Sequence, residues 1–227
     1  MDMAANVDPL LRLLQLVSPA LPIGTFAYSQ GLEAGVAAGW ISDEATARDW
    51  IGGLLDHVLA SLDLAVVARL HAGWALDDET TVARWSRFLA ASRGAGELRT
   101  EDRQIGSNLA RLLDGLGVAG AHRWIASADV TYASMFALAV VRWQIPLLTA
   151  LPGFAFAWLE AQTSAAVRLV PLGQSAGQRI LLELGARVPA AVARALTLAD
   201  DDVGAAAPSH AVASAHHETQ YSRLFRS

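Results

Sequence analysis

Residues 47–62 read ARDWIGGLLDHVLASL, and the spacing of their apolar positions decides the fold class. Ala47, Trp50, Ile51, Leu54, Leu55, Val58, Leu59 and Leu62 recur at i, i+3, i+4 and i+7, the stripe of a helix that buries one face. Arg48, Asp49, Asp56 and His57 fall on the other side. Ser42 stands where an N-cap is needed, and Asp43 and Glu44 stand where the helix dipole favours anions. The same period runs outward from this stretch. Residues 63–74 continue it as a more fully buried helix. Residues 77–92 carry Val82, Trp85, Phe88 and Leu89, and residues 97–116 carry Ile105, Leu109, Leu112, Leu113 and Leu116. Residues 129–143 are apolar on most sides and predict a central helix. Residues 146–170 follow, with a break expected at Pro152-Gly153. Residues 174–198 carry Ile180, Leu181, Leu184, Val188, Val192 and Leu196, with a second break expected at Pro189. The run DDDVGAAAP, 200–208, predicts a loop. No segment alternates with the period of a strand, and no internal repeat is visible. The expectation is an all-α protein, a single compact domain of about eight to ten helices over residues 1–207. A C-terminal tail, 208–227, then docks on a partner.

Composition narrows the function. Of 227 residues, 53% are hydrophobic and only 17% charged, with a mean hydropathy of +0.33. So few charges cover a monomer surface poorly, which predicts that part of the apolar excess faces another chain, a second copy if the protein is a dimer. Residues 143–159 are the candidate for deep burial in the core or in that dimer contact. Residues 13–32 and 143–159 lack charge, but Pro19, Pro22, Pro146 and Pro152 interrupt them, so neither predicts a membrane span. The start MDMAANVD lacks the basic region of a signal peptide. With no cysteine there is neither disulfide nor thiolate metal site. A cytoplasmic location is expected. The net charge is −5, and all 17 basic residues are arginine. Without lysine the chain cannot form a P-loop or a Schiff base. An acidic balance without a basic stripe excludes nucleic acid as the expected partner.

Three segments could carry function. Ser18–Glu33, SPALPIGTFAYSQGLE, predicts a rigid corner in which Pro19 and Pro22 end one helix and Tyr28 to Glu33 open the next, with Ser29 and Gln30 in its first turn. GQSAG, 173–177, matches the G-x-S-x-G nucleophile elbow. With 167–172 as a strand, Ser175, then Asp200 to Asp202, then His210, His216 or His217 stand in the Ser–Asp–His order. That serine-hydrolase alternative requires a parallel sheet, whereas the preceding 165 residues carry helical stripes. The histidines His57, His71, His122, His210, His216 and His217 lack metal-ligand spacing, since His216 and His217 point about 100° apart on a helix. The tail HETQYSRLFRS, 217–227, carries Tyr221, Leu224 and Phe225 at the spacing of a one-sided stripe on a short helix that needs a surface to fold on.

Leu13–Val36, Ser164–Gln178 and His217–Ser227 together resemble, in order, the opening signature, late-middle block and C-terminal tail of the UreF family of urease accessory proteins. The resemblance implies an all-helical, dimeric, non-enzymatic adaptor. It would bridge a platform protein (UreD or UreH) and the GTPase UreG in delivering nickel to apo-urease. It further implies that no cofactor is bound directly, nickel and GTP being handled by the complex. Carried over by motif, Gln30, Glu33, Gln178 and Arg179 would lie on the GTPase side. Tyr28 and the tail residues Tyr221, Arg223, Leu224 and Phe225 would lie on the platform side, with Arg223 bonded to Tyr28 or to a backbone carbonyl. Arg179, Arg223 and Arg226 are the arginines available to approach a nucleotide. A plain helical dimer unrelated to metal is the remaining alternative from the residues alone.

Overall fold

A computed structural model describes residues 8–227, and every described element is helical. The helices are α1 (Pro9–Leu16), α2 (Leu32–Ala37), α3 (Glu44–Leu54), α4 (Leu64–Ala75), α5 (Glu79–Ala91), α6 (Gly96–Gly115), α7 (Tyr132–Arg142), α8 (Leu147–Leu169), α9 (Gln174–Gly185), α10 (Val188–Thr197) and α11 (Pro208–His217). A wide-turn π segment, Leu55–Asp63, joins α3 and α4 into one rod. The described residues thus form ten rods, within the expected range. They share one hydrophobic core that reaches from Leu13 to Val203.

The centre is the crossing of α4 and α7. The two helices pack on each other, and Leu64, Ala65, Val66, Val67, Leu70 and Trp74 of α4 and Met135 to Val140 of α7 are all buried. Burial of so large an apolar surface is the main stabilising term. Trp74 keeps its polar atom satisfied, Nε1 donating to the Ser134 carbonyl at 2.9 Å. Tyr132, Phe136 and Phe154 form an aromatic group with ring centroids 5.0 to 5.9 Å apart, which ties α7 to α8. Close approach explains two glycines. A Cβ on Gly106 would stand 2.5 Å from the Thr131 carbonyl carbon, and one on Gly177 would stand 2.8 Å from Val167. The rod Glu44–Ala75 is long and apolar enough to cross a bilayer, yet its most apolar window is 72% buried inside the bundle. Protein contacts satisfy its apolar faces.

Some local expectations need correction. Asp43 rather than Ser42 caps α3. Its carboxylate accepts from the Thr46 N–H at 2.8 Å, and Thr46 Oγ1 accepts from the Asp43 N–H at 3.1 Å. Pro152 does not break α8, which runs on from Leu147 to Leu169. The carbonyl that its missing N–H leaves free belongs to Leu148, an exposed residue near the helix start where solvent can serve it. Pro189 does separate α9 from α10, as the second residue of the new helix. Ser29 and Gln30 are not helical. Gln30 and Gly31 both take left-handed backbone (φ 52° and 79°), and α2 begins only at Leu32. In the tail, Pro208–His217 is helix, but residues 218–227 are turns and bends and form no helical stripe.

Candidate partner-binding site

The corner at 18–33 is a seat for the end of the chain. Gly24 turns the backbone through φ 90°, Thr25–Ala27 make one tight helical turn, and Tyr28 is extended. Between extended Tyr28 and the left-handed pair Gln30 and Gly31, the N–H groups of Ser29 and Gln30 both turn toward Ser227. The Ser29 and Gln30 N–H groups donate to the Ser227 carbonyl oxygen at 2.6 and 3.0 Å, and Ser29 Oγ donates to it at 2.5 Å. The Arg226 N–H donates to the Ala27 carbonyl at 2.9 Å. Gly31 is required twice, for its positive φ and because a Cβ there would lie 2.9 Å from Ser214 Oγ of α11.

Below this seat lies a chain of buried charges. Glu33 of α2 accepts from the Leu224 N–H at 2.7 Å and from the Phe225 N–H at 2.9 Å. Its second oxygen is 3.2 Å from His217 Nε2, and His217 Nδ1 is 2.9 Å from Glu97 of α6. Arg223 stands 3.7 Å from Glu97. One turn along α6, Glu101 accepts from Ser227 Oγ at 2.5 Å and from Gln30 Nε2 at 2.7 Å. Burial pushes its carboxyl up to about 7, against the pull of those two hydrogen bonds. Gln30 Oε1 accepts from Trp158 Nε1 at 2.8 Å and so links this chain to α8.

Beside it, a cavity of about 100 Å³ opens between the corner, the π segment, α6 and α8. Its walls include Leu16, Leu21, Phe26, Leu59 and Phe154, and its polar floor includes Asp63, Arg93, Asp102 and His210. Arg93 lies 2.6 Å from Asp63 and 3.2 Å from Asp102. Burial opposes its charge, but the two carboxylates prevail and raise its pKa. Burial raises Asp102 and, with the nearby Arg93 charge, pushes His210 down to about 4. His210 is therefore neutral at pH 7.

The structure gives the residues singled out from the sequence different surroundings. Gln30 and Glu33 face inward and hold the tail. Gln178 and Arg179 are exposed on α9, where Arg179 makes a two-pronged ion pair with Glu44 at 2.8 and 2.6 Å. Tyr28 and Phe225 are buried, while Tyr221 and Leu224 are exposed. Arg223 donates to the Gln220 carbonyl at 3.1 Å, a backbone carbonyl and not Tyr28. Glu97, Glu101, His217, Ser29 and Ser227 complete the arrangement and were not singled out for it. Glu97 and Glu101 stand four apart beside the apolar Leu98 and Ile105, a pattern that signals carboxylates turned toward the core.

The nucleophile elbow does not form. Ser175 is exposed in the first turn of α9, and the element before it is the helix α8, not a strand. Asp200 is tied to Arg69 at 2.7 Å, and His217 to its two glutamates. Among the described residues, no three His, Asp or Glu side chains converge as metal ligands. His122 pairs with Asp114 at 3.0 Å.

Comparison with known proteins places this geometry in a family. The UreF family model matches residues 41–185. The chain is 50% identical over 216 residues, 95% of each chain, to a protein of Alkalilimnicola ehrlichii named urease accessory protein UreF. It is 49% identical over 218 residues, 96% of this chain and 97% of the relative, to one of the same name from Pseudomonas putida. It is 44% identical over the whole of both chains to urease accessory protein UreF 2 of Brucella anthropi. The chain belongs to the UreF family of urease accessory proteins.

Proposed function

We propose that this chain is a non-enzymatic adaptor in urease maturation, joining a UreD- or UreH-like platform protein to a UreG-like GTPase so that nickel reaches apo-urease. The observation that carries the reading is kinship of 44–50% identity along nearly the full length with proteins named urease accessory protein UreF. The surfaces support a division of labour. On the platform side, the docked tail presents Tyr221 and Leu224 to solvent while Phe225 is buried beneath it. On the GTPase side, Gln178 and Arg179 lie exposed on α9. Gln30 and Glu33 contribute from beneath, by fixing the shape of the corner. Nickel is cargo, and nickel and GTP are handled by the assembled complex.

A homodimer fits the apolar surface. Leu10, Leu11 and Leu14 of α1 and Leu148 and Phe156 of α8 are exposed on two helices that touch. Large exposed apolar residues grouped in this way mark interaction surfaces. Residues 143–159 thus divide between core (Ala150, Leu151, Phe154, Ala155, Leu159) and this face. A cytoplasmic site of action goes with the role. The test is activation of apo-urease with nickel, platform and GTPase, with and without this chain, reading nickel content and urea hydrolysis. Full activation without the chain refutes the role.

A further inference from the structure

The arrangement around His217 makes sense for only one charge state of that ring. His217 is completely buried, and each of its two nitrogens faces a carboxylate: Nε2 faces Glu33 at 3.2 Å and Nδ1 faces Glu97 at 2.9 Å. A neutral imidazole has one N–H and one lone pair, so it could donate to only one of these partners. The other carboxylate would then face a lone pair at hydrogen-bond distance. The imidazolium donates to both. The other charged groups around the ring agree. Arg223 from the tail approaches Glu97 at 3.7 Å, so imidazolium, guanidinium and two carboxylates sum to zero. Arg223 is exposed, so loss of the ring proton leaves the buried carboxylates of Glu33 and Glu97 with compensation only from a solvent-facing guanidinium. Glu218, the next residue, turns away and accepts from the Glu97 N–H at 3.0 Å. Glu101, one turn along α6, holds Ser227 and Gln30.

From this geometry we infer that His217 is a proton-dependent clasp. Protonated, it bridges α2 to α6 and holds Glu33 in place to receive the Leu224 and Phe225 N–H groups. Deprotonated, it can hold only one of the two carboxylates, and the uncompensated charge of Glu33 and Glu97 loosens the seat of the tail. The ring proton is lost as pH rises, so the tail would loosen in that direction. Glu101 works in the same direction, because the proton that burial favours on it is also lost as pH rises. A rise in pH would thus change how the tail offers Tyr221 and Leu224 to the platform protein. This last step rests on the platform reading above, whereas the clasp itself does not.

The test is amide hydrogen exchange on the full-length free chain from about pH 5 to 8, corrected for intrinsic rates, alongside NMR titration of the His217 ring. Protection at Leu224 and Phe225 should fall about tenfold or more, the scale of one charge-assisted hydrogen bond, in step with the ring's titration. His217→Gln, which cannot bridge as a cation, should remove that step, while core amides of α4 and α7 stay protected. A Glu101→Gln variant should keep it. Flat protection across the His217 titration overturns the clasp, as does a step that survives in His217→Gln. If the tail opens with pH while capture by the platform protein stays level, the clasp stands and the platform reading of the tail falls.

Discussion

Replacing Glu33 by alanine should undock the tail without unfolding the protein. The carboxylate is the acceptor for two backbone donors, Leu224 N–H and Phe225 N–H, and a partner of the buried His217. Each buried donor left without an acceptor costs ~1–3 kcal/mol, so the two weigh ~2–6 kcal/mol against the docked tail. The His217 charge, left with one partner, adds to this. Burial of Phe225 returns ~1.5–3 kcal/mol and the Arg226 and Ser227 hydrogen bonds oppose detachment, so the balance shifts toward a detached tail, beginning at residues 224 and 225. Detachment also limits the damage, because the core at α4 and α7 makes no use of residues 218–227. The global loss then cannot exceed the tail's docking energy. If that is ~2–3 kcal/mol, Tm falls by roughly 5–10 °C at ~2–4 °C per kcal/mol for a domain of this size. Hydrogen exchange resolves the two effects, with protection lost at Leu224 and Phe225 and kept at Leu70 and Phe136. A variant with wild-type tail protection and an unchanged melting curve would refute the reasoning. That is the outcome the sequence alone suggests, with Glu33 displayed toward a GTPase.

Other expectations follow from single contacts. Glu101 is raised from 4.5 to about 7 by burial, so the folded state holds its proton where the unfolded state has lost it. Its contribution to stability is therefore full below pH 4.5 and is lost as pH rises through about 7. Urea midpoints should decline over that window, and Glu101→Gln should flatten the decline. Gly106→Ala places a methyl 2.5 Å from the Thr131 carbonyl carbon and should cost ~1–3 kcal/mol or more by overpacking, read in thermal melts. Arg179→Ala removes an exposed ion pair to Glu44 and should leave the melting curve near wild type, so any loss of GTPase capture reports contact and not misfolding. Leu11→Glu together with Leu14→Glu should give a 24.0 kDa monomer in sedimentation equilibrium where the wild type is a dimer. A wild type that is already monomeric would remove the α1–α8 face as an interface.

The helical architecture was legible because it depends on local period. The stripe from Ala47 to Leu62, the buried run at 129–143 and the interruption at Pro189 each report on neighbours three or four residues away. The π segment was not legible, since its sequence keeps the same apolar alternation as the helix on either side. Pro152 misled for a related reason: whether a proline breaks a helix depends on who serves the freed carbonyl, and that is a tertiary fact. The site was half legible. Gln178 and Arg179 were singled out, and they are exposed. Tyr28 and Phe225 were singled out, and both are buried. Glu33 was found but assigned to the surface, because the partners of its carboxylate lie 184 to 192 residues away. His217 was weighed only as a triad histidine or a metal ligand. Its partnership with Glu33 and Glu97 joins three separate parts of the chain, and no spacing rule can see it.

The adaptor role is tested most directly by a three-component capture. Immobilised platform protein is offered the GTPase with and without this chain, at equal concentrations, and the retained GTPase is quantified. The account predicts that the GTPase is retained only when the chain is present, and that a chain lacking residues 217–227 fails to retain it while remaining folded. Equal retention of the GTPase without the chain would contradict it.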